Sequence, residues 1–213
     1  INNTATYGGA LYYNVESSNP NFTAINCDFT NNNALYGGAL YGINSTDSRF
    51  SNNSASENGG AMYGENLNAS NSIFIGNKAL KGGAISANGD VNSCIFIDNH
   101  ADEGSAISSQ DNDLGYLIEI NNSIFLDNEG SYVIDCYDNN IYNCWFGNTA
   151  LNYTKKPYVK IHTEDKYRKD LNNWLFLNGS ATPSRMNYGE KSTVVFDFNR
   201  RSEERFSRNA ETD

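Results

Sequence analysis

Along the first 150 residues the hydrophobic positions fall in short alternating runs, separated by Asn- and Gly-rich turns. One copy of the pattern reads Cys27, Phe29, Asn32, Ala34, then Gly37-Gly38-Ala39-Leu40-Tyr41. The same order returns as Ser48, Phe50, Asn53, Ala55, Gly59-Gly60-Ala61-Met62-Tyr63, and as Ser72, Phe74, Asn77, Ala79, Gly82-Gly83-Ala84-Ile85. A fourth copy has Cys94, Phe96, Asn99, Ala101 and Gly104-Ser105-Ala106-Ile107. Looser copies follow at Ser123, Phe125, Asn128, Gly130, Val133-Ile134 and at Cys144, Phe146, Asn148, Ala150. Asn3, Ala5, Gly8-Gly9-Ala10 and Leu11 fit the second half of an earlier copy. The chain thus opens inside a copy and is read as a fragment or a processed product. Successive Phe positions are separated by 21, 24, 22, 29 and 21 residues.

A repeat of this length with short alternating pieces predicts strands that cannot bury their apolar face until coils stack. Leucine-rich repeats would need several Leu per unit, and these units have one or two at most. The pattern instead predicts an all-β fold, a right-handed parallel β-helix of about six to seven coils over residues 1–153. Phe and the Leu/Met/Ile position fill the interior, and the small Cys/Ser position leaves room beside the ring. The repeated Asn32, Asn53, Asn77, Asn99 and Asn128 are expected to turn their amides inward. The glycine pairs supply a positive-φ turn. The long step from Phe96 to Phe125 contains a polar insertion, Ser108 to Asp113, expected to bulge as a loop.

The pattern stops near residue 150, and so does the charge balance. Residues 1–150 carry three basic residues (Arg49, Lys78, Lys81) against sixteen acidic ones; residues 151–213 carry twelve against nine. The net charge of −10 therefore divides into −13 and +3. After Tyr153-Thr154-Lys155-Lys156-Pro157, alternating pieces around Gly189-Glu190 predict a linker and a partial immunoglobulin-like β segment over 154–199. Residues 200–213 read as a polar, flexible tail. The acidic balance argues against nucleic acid as a partner, and no apolar run is long enough for a membrane helix.

With these residues in view, the Phe-x-x-Asn-x-Ala…Gly-Gly-Ala-Ile/Leu unit resembles the repeat of chlamydial polymorphic membrane proteins. It is also similar to adhesin-like surface proteins of methanogenic archaea. In those, Asn-rich coils precede a segment like Trp174, Leu175, Leu177, Asn178, Gly189, Glu190, Ser192 and Thr193 here. The resemblance implies an extracellular, cell-surface adhesin or stalk module, archaeal in origin, attaching to glycans or proteins of a neighbouring cell. Two other readings stand beside it, a purely structural stalk or filament subunit and a carbohydrate-active β-helix enzyme.

Candidate chemistry is sparse. Asp98, Asp102, Glu103 and Asp127 lie near one another in coil position, yet no hydrolase motif surrounds them, and neither His100 nor His162 has a nucleophile at family spacing. No catalytic residue, cofactor or metal is predicted; Asp111-Asn112-Asp113 lacks the Gly and Glu of an EF-hand and reads as a solvated turn. Cys27, Cys94 and Cys144 share one repeat position whole coils apart, and Cys136 lies on another strand. Buried thiols are expected rather than disulfides.

Two faces point outward. If Leu11, Leu40 and Met62 face in, then Tyr12, Tyr41 and Tyr63 stack outside, with Ser86 and Ser108 continuing the column. That ladder is either a platform for sugars or a protein partner, or a set of rings that stabilises the sheet. Beside the Phe column, Ile73, Ile75, Ile95, Ile97, Ile124 and Leu126 form an apolar stripe that needs a cover. Self-association, or the segment carrying Tyr158, Val159, Trp174 and Phe176, is expected to supply it. Sequons occur at Asn2, Asn21, Asn44, Asn52, Asn68, Asn121, Asn152 and Asn178, candidate glycan sites of an exported protein.

Overall fold

A computed structural model describes residues 1–14, 22–109, 118–136 and 139–147, together with the strands Val159–Ile161, Leu175–Thr182 and Thr193–Arg200. Asn21, Asp111, Asp113, Asn152, Tyr158, His162, Trp174 and the tail beyond residue 200 lie outside the described residues.

The chain is all-β. Parallel strands stack into a solenoid whose sheets run along its length. One sheet carries the Phe rungs, Asp28–Thr30, Arg49–Ser51, Ile73–Ile75, Ile95–Ile97, Ile124–Leu126 and Trp145–Gly147. A second carries the aliphatic rungs, from Leu11–Tyr12 through Leu40–Tyr41, Met62–Gly64, Ile85–Ala87 and Ile107–Ser108 to Ile134–Cys136. The third, which the two-strand reading of each copy misses, runs through Thr23–Ile25, Asn44–Thr46, Ala69–Ser70, Asp90–Asn92, Ile118–Asn121 and Asn139–Tyr142. A fourth, short side pairs Asn33–Tyr36 with Ser54–Asn58, and single bridges extend it through Lys78 and His100 to Glu129. From Phe29 to Phe146 the register closes five turns, below the predicted six to seven, because the first and last copies are partial coils.

Stacking puts like on like. Phe29, Phe50, Phe74, Phe96, Phe125 and Phe146 form one buried column, with neighbouring rings 4.8–5.0 Å apart and within 12° of parallel. Opposite them Leu40, Met62, Ile85, Ile107 and Ile134 are buried. Ala24, Ser45, Ala69, Val91, Ile120 and Ile141 close the third side. Each large apolar side chain so buried stabilises the fold by about 1.5–3 kcal/mol.

Single residues in the left-handed region turn the corners. One corner column is Asn26, Asp47, Asn71, Ser93, Asn122 and Asn143; the next is Asn31, Asn52, Gly76, Asp98 and Asp127, all with φ between 48° and 62°. Asn and Asp tolerate this conformation better than other residues with a Cβ, which accounts for the six Asn in these two columns. At the Gly pairs the two members differ in purpose. Gly37 has φ 62°, whereas a Cβ on Gly38 would lie 2.1 Å from the carbonyl oxygen of Gly60 in the next coil.

The immunoglobulin-like expectation for 154–199 finds no support. Val159–Ile161 runs parallel beside Ile134–Cys136, and Leu175–Thr182 runs parallel beside Trp145–Gly147. Thr193–Arg200 then pairs antiparallel with Leu175–Thr182 over eight residues. These strands lengthen two solenoid sheets, and the described residues of this segment form no separate sheet.

Candidate interaction surface

Period-two alternation places Tyr12, Tyr41 and Tyr63 on the outer side of the aliphatic sheet, in register from coil to coil. Their ring centroids are 5.1 and 5.3 Å apart. Two further tyrosines join them. Tyr7 and Tyr36 immediately precede the glycine pairs, and the tight turn folds each back against the ladder: Tyr7 lies 5.3 Å from Tyr41, and Tyr36 lies 5.2 Å from Tyr63. Tyr7 and Tyr36 also stack on each other at 5.9 Å. The repeated Tyr-Gly-Gly at 7–9 and 36–38 is the signal that could have found them.

Unlike the near-parallel phenylalanines, the rings of Tyr12, Tyr41 and Tyr63 are tilted by 50° and 44° to their neighbours. Tilting leaves part of each ring face turned outward. Tyr7 and Tyr12 are 44% and 51% exposed, and Tyr36, Tyr41 and Tyr63 are half-buried. Burial pushes the Tyr63 phenol up to about 12, with Tyr41, Tyr36 and Glu65 adding to the effect. The Tyr41 phenol rises for the same leading reason, so both remain hydrogen-bond donors at neutral pH.

The surface ends where the tyrosines end. Ser86 and Ser108 do not continue an open column; both are buried, as is Asp135 one coil further. A serine side chain stops one atom past Cβ and does not clear the sheet as a ring does. The column of Tyr7 and Tyr36 continues as Asn58, Lys81 and Glu103, where the Lys81 ammonium stands 3.1 Å from the Glu103 carboxylate.

On the Phe sheet, Ile73, Ile95 and Ile124 align with Trp145, and Ile75 and Ile97 align with Leu126. The six aliphatics are half-buried, and Trp145 is 40% exposed. Towards the first coils the stripe turns polar, with Arg49 donating to Ser51 at 2.9 Å and Thr30 to Asp28 at 3.0 Å. The strands Val159–Ile161 and Leu175–Thr182 are added in line at the ends of existing sheets rather than laid across the stripe.

The remaining candidates take local roles. Asp98 and Asp127 occupy left-handed corners, Glu103 pairs with Lys81, and the His100 ring stands 3.6 Å from the Glu129 carboxylate. Among the described residues no group of three or more His, Cys, Asp or Glu is placed to hold a metal ion. All four cysteines are thiols. Cys94, Cys136 and Cys144 are buried, whereas Cys27 is exposed, because its coil lies near the end of the described stack. Burial pushes the Cys94 thiol up to about 12 and raises that of Cys136 as well.

Of the sequons, Asn2 and Asn52 sit at exposed left-handed corners and Asn68 is exposed just before the third-sheet rung Ala69–Ser70. Asn44 and Asn121 are half-buried on that sheet. The Asn44 amide oxygen accepts the backbone N–H of Asn68 at 2.8 Å, and Asn121 donates to Glu119 at 3.1 Å. Asn178 lies within the strand Leu175–Thr182.

Residues 47–65 and 71–88 match the family model described as the Chlamydia polymorphic membrane protein (Chlamydia_PMP) repeat. Each matched stretch begins at a left-handed corner, Asp47 or Asn71, and runs through the buried Phe, the inward Asn and the Gly pair to an aliphatic rung. No curated protein and no solved structure matches the chain. In these two coils the chain is similar to a repeat of polymorphic membrane proteins.

Proposed function

We propose that this chain is a non-enzymatic cell-surface module, a rigid right-handed β-solenoid that holds an adhesive tyrosine surface away from the envelope for attachment to a neighbouring cell. The carrying observation is a stack, two of whose coils match a polymorphic membrane protein repeat, with five tyrosines gathered along one outer face of its first coils. Exported Asn-rich coils would carry glycans at the exposed sequons Asn2, Asn52 and Asn68. The stripe from Ile73 to Leu126 supplies a surface for lateral self-association of such stalks.

The test is adherence of beads coated with the purified chain to whole cells, compared with the Y12S/Y41S/Y63S variant. Loss of adherence in a folded variant supports the reading. Equal adherence leaves the second reading, a stalk that presents some other domain, which the continuous Phe and Asn ladders favour.

A further inference from the structure

Resting on that reading of the tyrosine edge, we infer that Tyr7, Tyr12, Tyr36, Tyr41 and Tyr63 bind an uncharged polysaccharide strand lying along the stack axis. The rungs offer one ring per coil in each column, at centroid spacings of 5.1–5.9 Å. A periodic surface of this kind suits a periodic polymer, because weak contacts at each unit add along the chain once the first is made. Tilted rings expose apolar faces for the C–H side of a sugar, and the phenol tips serve its hydroxyls. Mutual packing of the rings fixes their rotamers before any ligand arrives, so little side-chain freedom is lost on binding.

Charge selects against acidic polymers. Residues 1–150 hold three basic residues, and the one in the column that continues from Tyr7 and Tyr36, Lys81, is paired with Glu103. Glu65 lies close enough to disfavour ionisation of Tyr41 and Tyr63, so a polyanion laid there meets like charge. The backbone argues against a peptide added as a strand. The carbonyls of Tyr41 and Tyr63 already accept N–H groups of Tyr13 and Gly42, each at 2.9 Å, and the face carries side chains rather than an open sheet edge.

The experiment is affinity electrophoresis of the whole chain in native gels containing soluble β-glucan, α-mannan, galactan or polygalacturonate. Retardation is expected in at least one neutral gel, unchanged by added salt, and none in polygalacturonate. The Y12S/Y41S/Y63S variant should bind at least tenfold more weakly. Should it unfold, Y7S/Y12S replaces the two most exposed rings and is expected to show the same loss with unchanged thermal unfolding. Absence of retardation in all three neutral gels, retardation indifferent to the variants, or preference for polygalacturonate would each overturn the inference. Tyrosine-dependent adherence to cells without retardation in neutral gels would sink the polysaccharide and leave the adhesive edge standing.

Discussion

The side-chain amide of Asn53 donates to the Asn77 amide oxygen at 3.0 Å and to the carbonyl of Phe29, one coil back, at 2.9 Å. Asn77 repeats the arrangement with Asn99 at 2.9 Å and Phe50 at 3.1 Å, and Asn99 with Asn128 and Phe74. Each amide oxygen also accepts the backbone N–H of the preceding Asn, as Asn77 does from Asn53 at 3.0 Å. Asn53, Asn77 and Asn99 are buried, so each of their bonds replaces water that cannot enter.

Removing one rung of this ladder leaves partners on both sides. Asn77→Ala strands the Asn53 backbone N–H and one of its amide protons, and deprives the carbonyl of Phe50. Unsatisfied buried groups cost about 1–3 kcal/mol each, so a loss of at least about 2 kcal/mol is expected in urea unfolding. Asn77→Asp should be no better, since a carboxylate cannot supply the two donated bonds.

Phe74 sits between Phe50 and Phe96 with centroids at 4.8 and 4.9 Å. Phe74→Ala is expected to cost about 3–5 kcal/mol through the cavity it leaves. Phe74→Leu should retain part of the apolar fill and lose the ring contacts, giving a smaller drop in the same unfolding measurement.

The two kinds of glycine separate cleanly. Gly38→Ala forces a Cβ against backbone of the next coil, which has no room to yield, and should abolish or severely weaken folding. Gly76→Asn supplies the residue type that Asn31 and Asn52 use at the same corner with φ 56° and 55°, and its Cβ meets only the amide end of Asn52, a side chain that can swing aside. It is expected to stay within about 1 kcal/mol of the parent. Thermal unfolding of both variants distinguishes the two cases.

Thiol labelling should be ordered by burial. A maleimide probe is expected to modify Cys27 in the folded chain and to reach Cys94, Cys136 and Cys144 only in urea. The same burial makes the fold sensitive to alkali. Cys94 rises from an ordinary 9.0 to about 12, and Tyr63 from 10.0 to about 12. Because the folded chain holds these protons more tightly, their effect on stability is flat below about pH 9. Stability then falls as pH climbs from there towards 12. Urea midpoints measured across this range check the direction; a rising midpoint would contradict it.

Much of this was legible in the sequence because the ladders repeat residue for residue. Phe at 29, 50, 74, 96, 125 and 146, and Asn at 32, 53, 77, 99 and 128, each recur at a fixed offset within the coil. Their inward direction follows from burial alone. The third sheet escaped notice because its early rungs bury one small or middling residue each, Ala24, Ser45, Ala69 and Val91, and so give no alternating signal; only Ile118–Asn121, with Ile118 and Ile120 both buried, alternates. Tyr7 and Tyr36 were missed since their approach to the ladder depends on how the Gly pair folds the chain back, not on strand period. Ser86 and Ser108 obey the alternation and still end buried, because outward direction and exposure coincide only for side chains long enough to clear the sheet.

The ladders also separate two kinds of repeat. In sequence, equivalent positions lie anywhere from 21 to 29 residues apart; in space, the rings they bring together keep to 4.8–5.0 Å. Extra residues are therefore carried sideways between rungs and never lengthen the axis. Such a molecule can acquire new outer contours by insertion while its overall reach is set solely by how many coils are stacked.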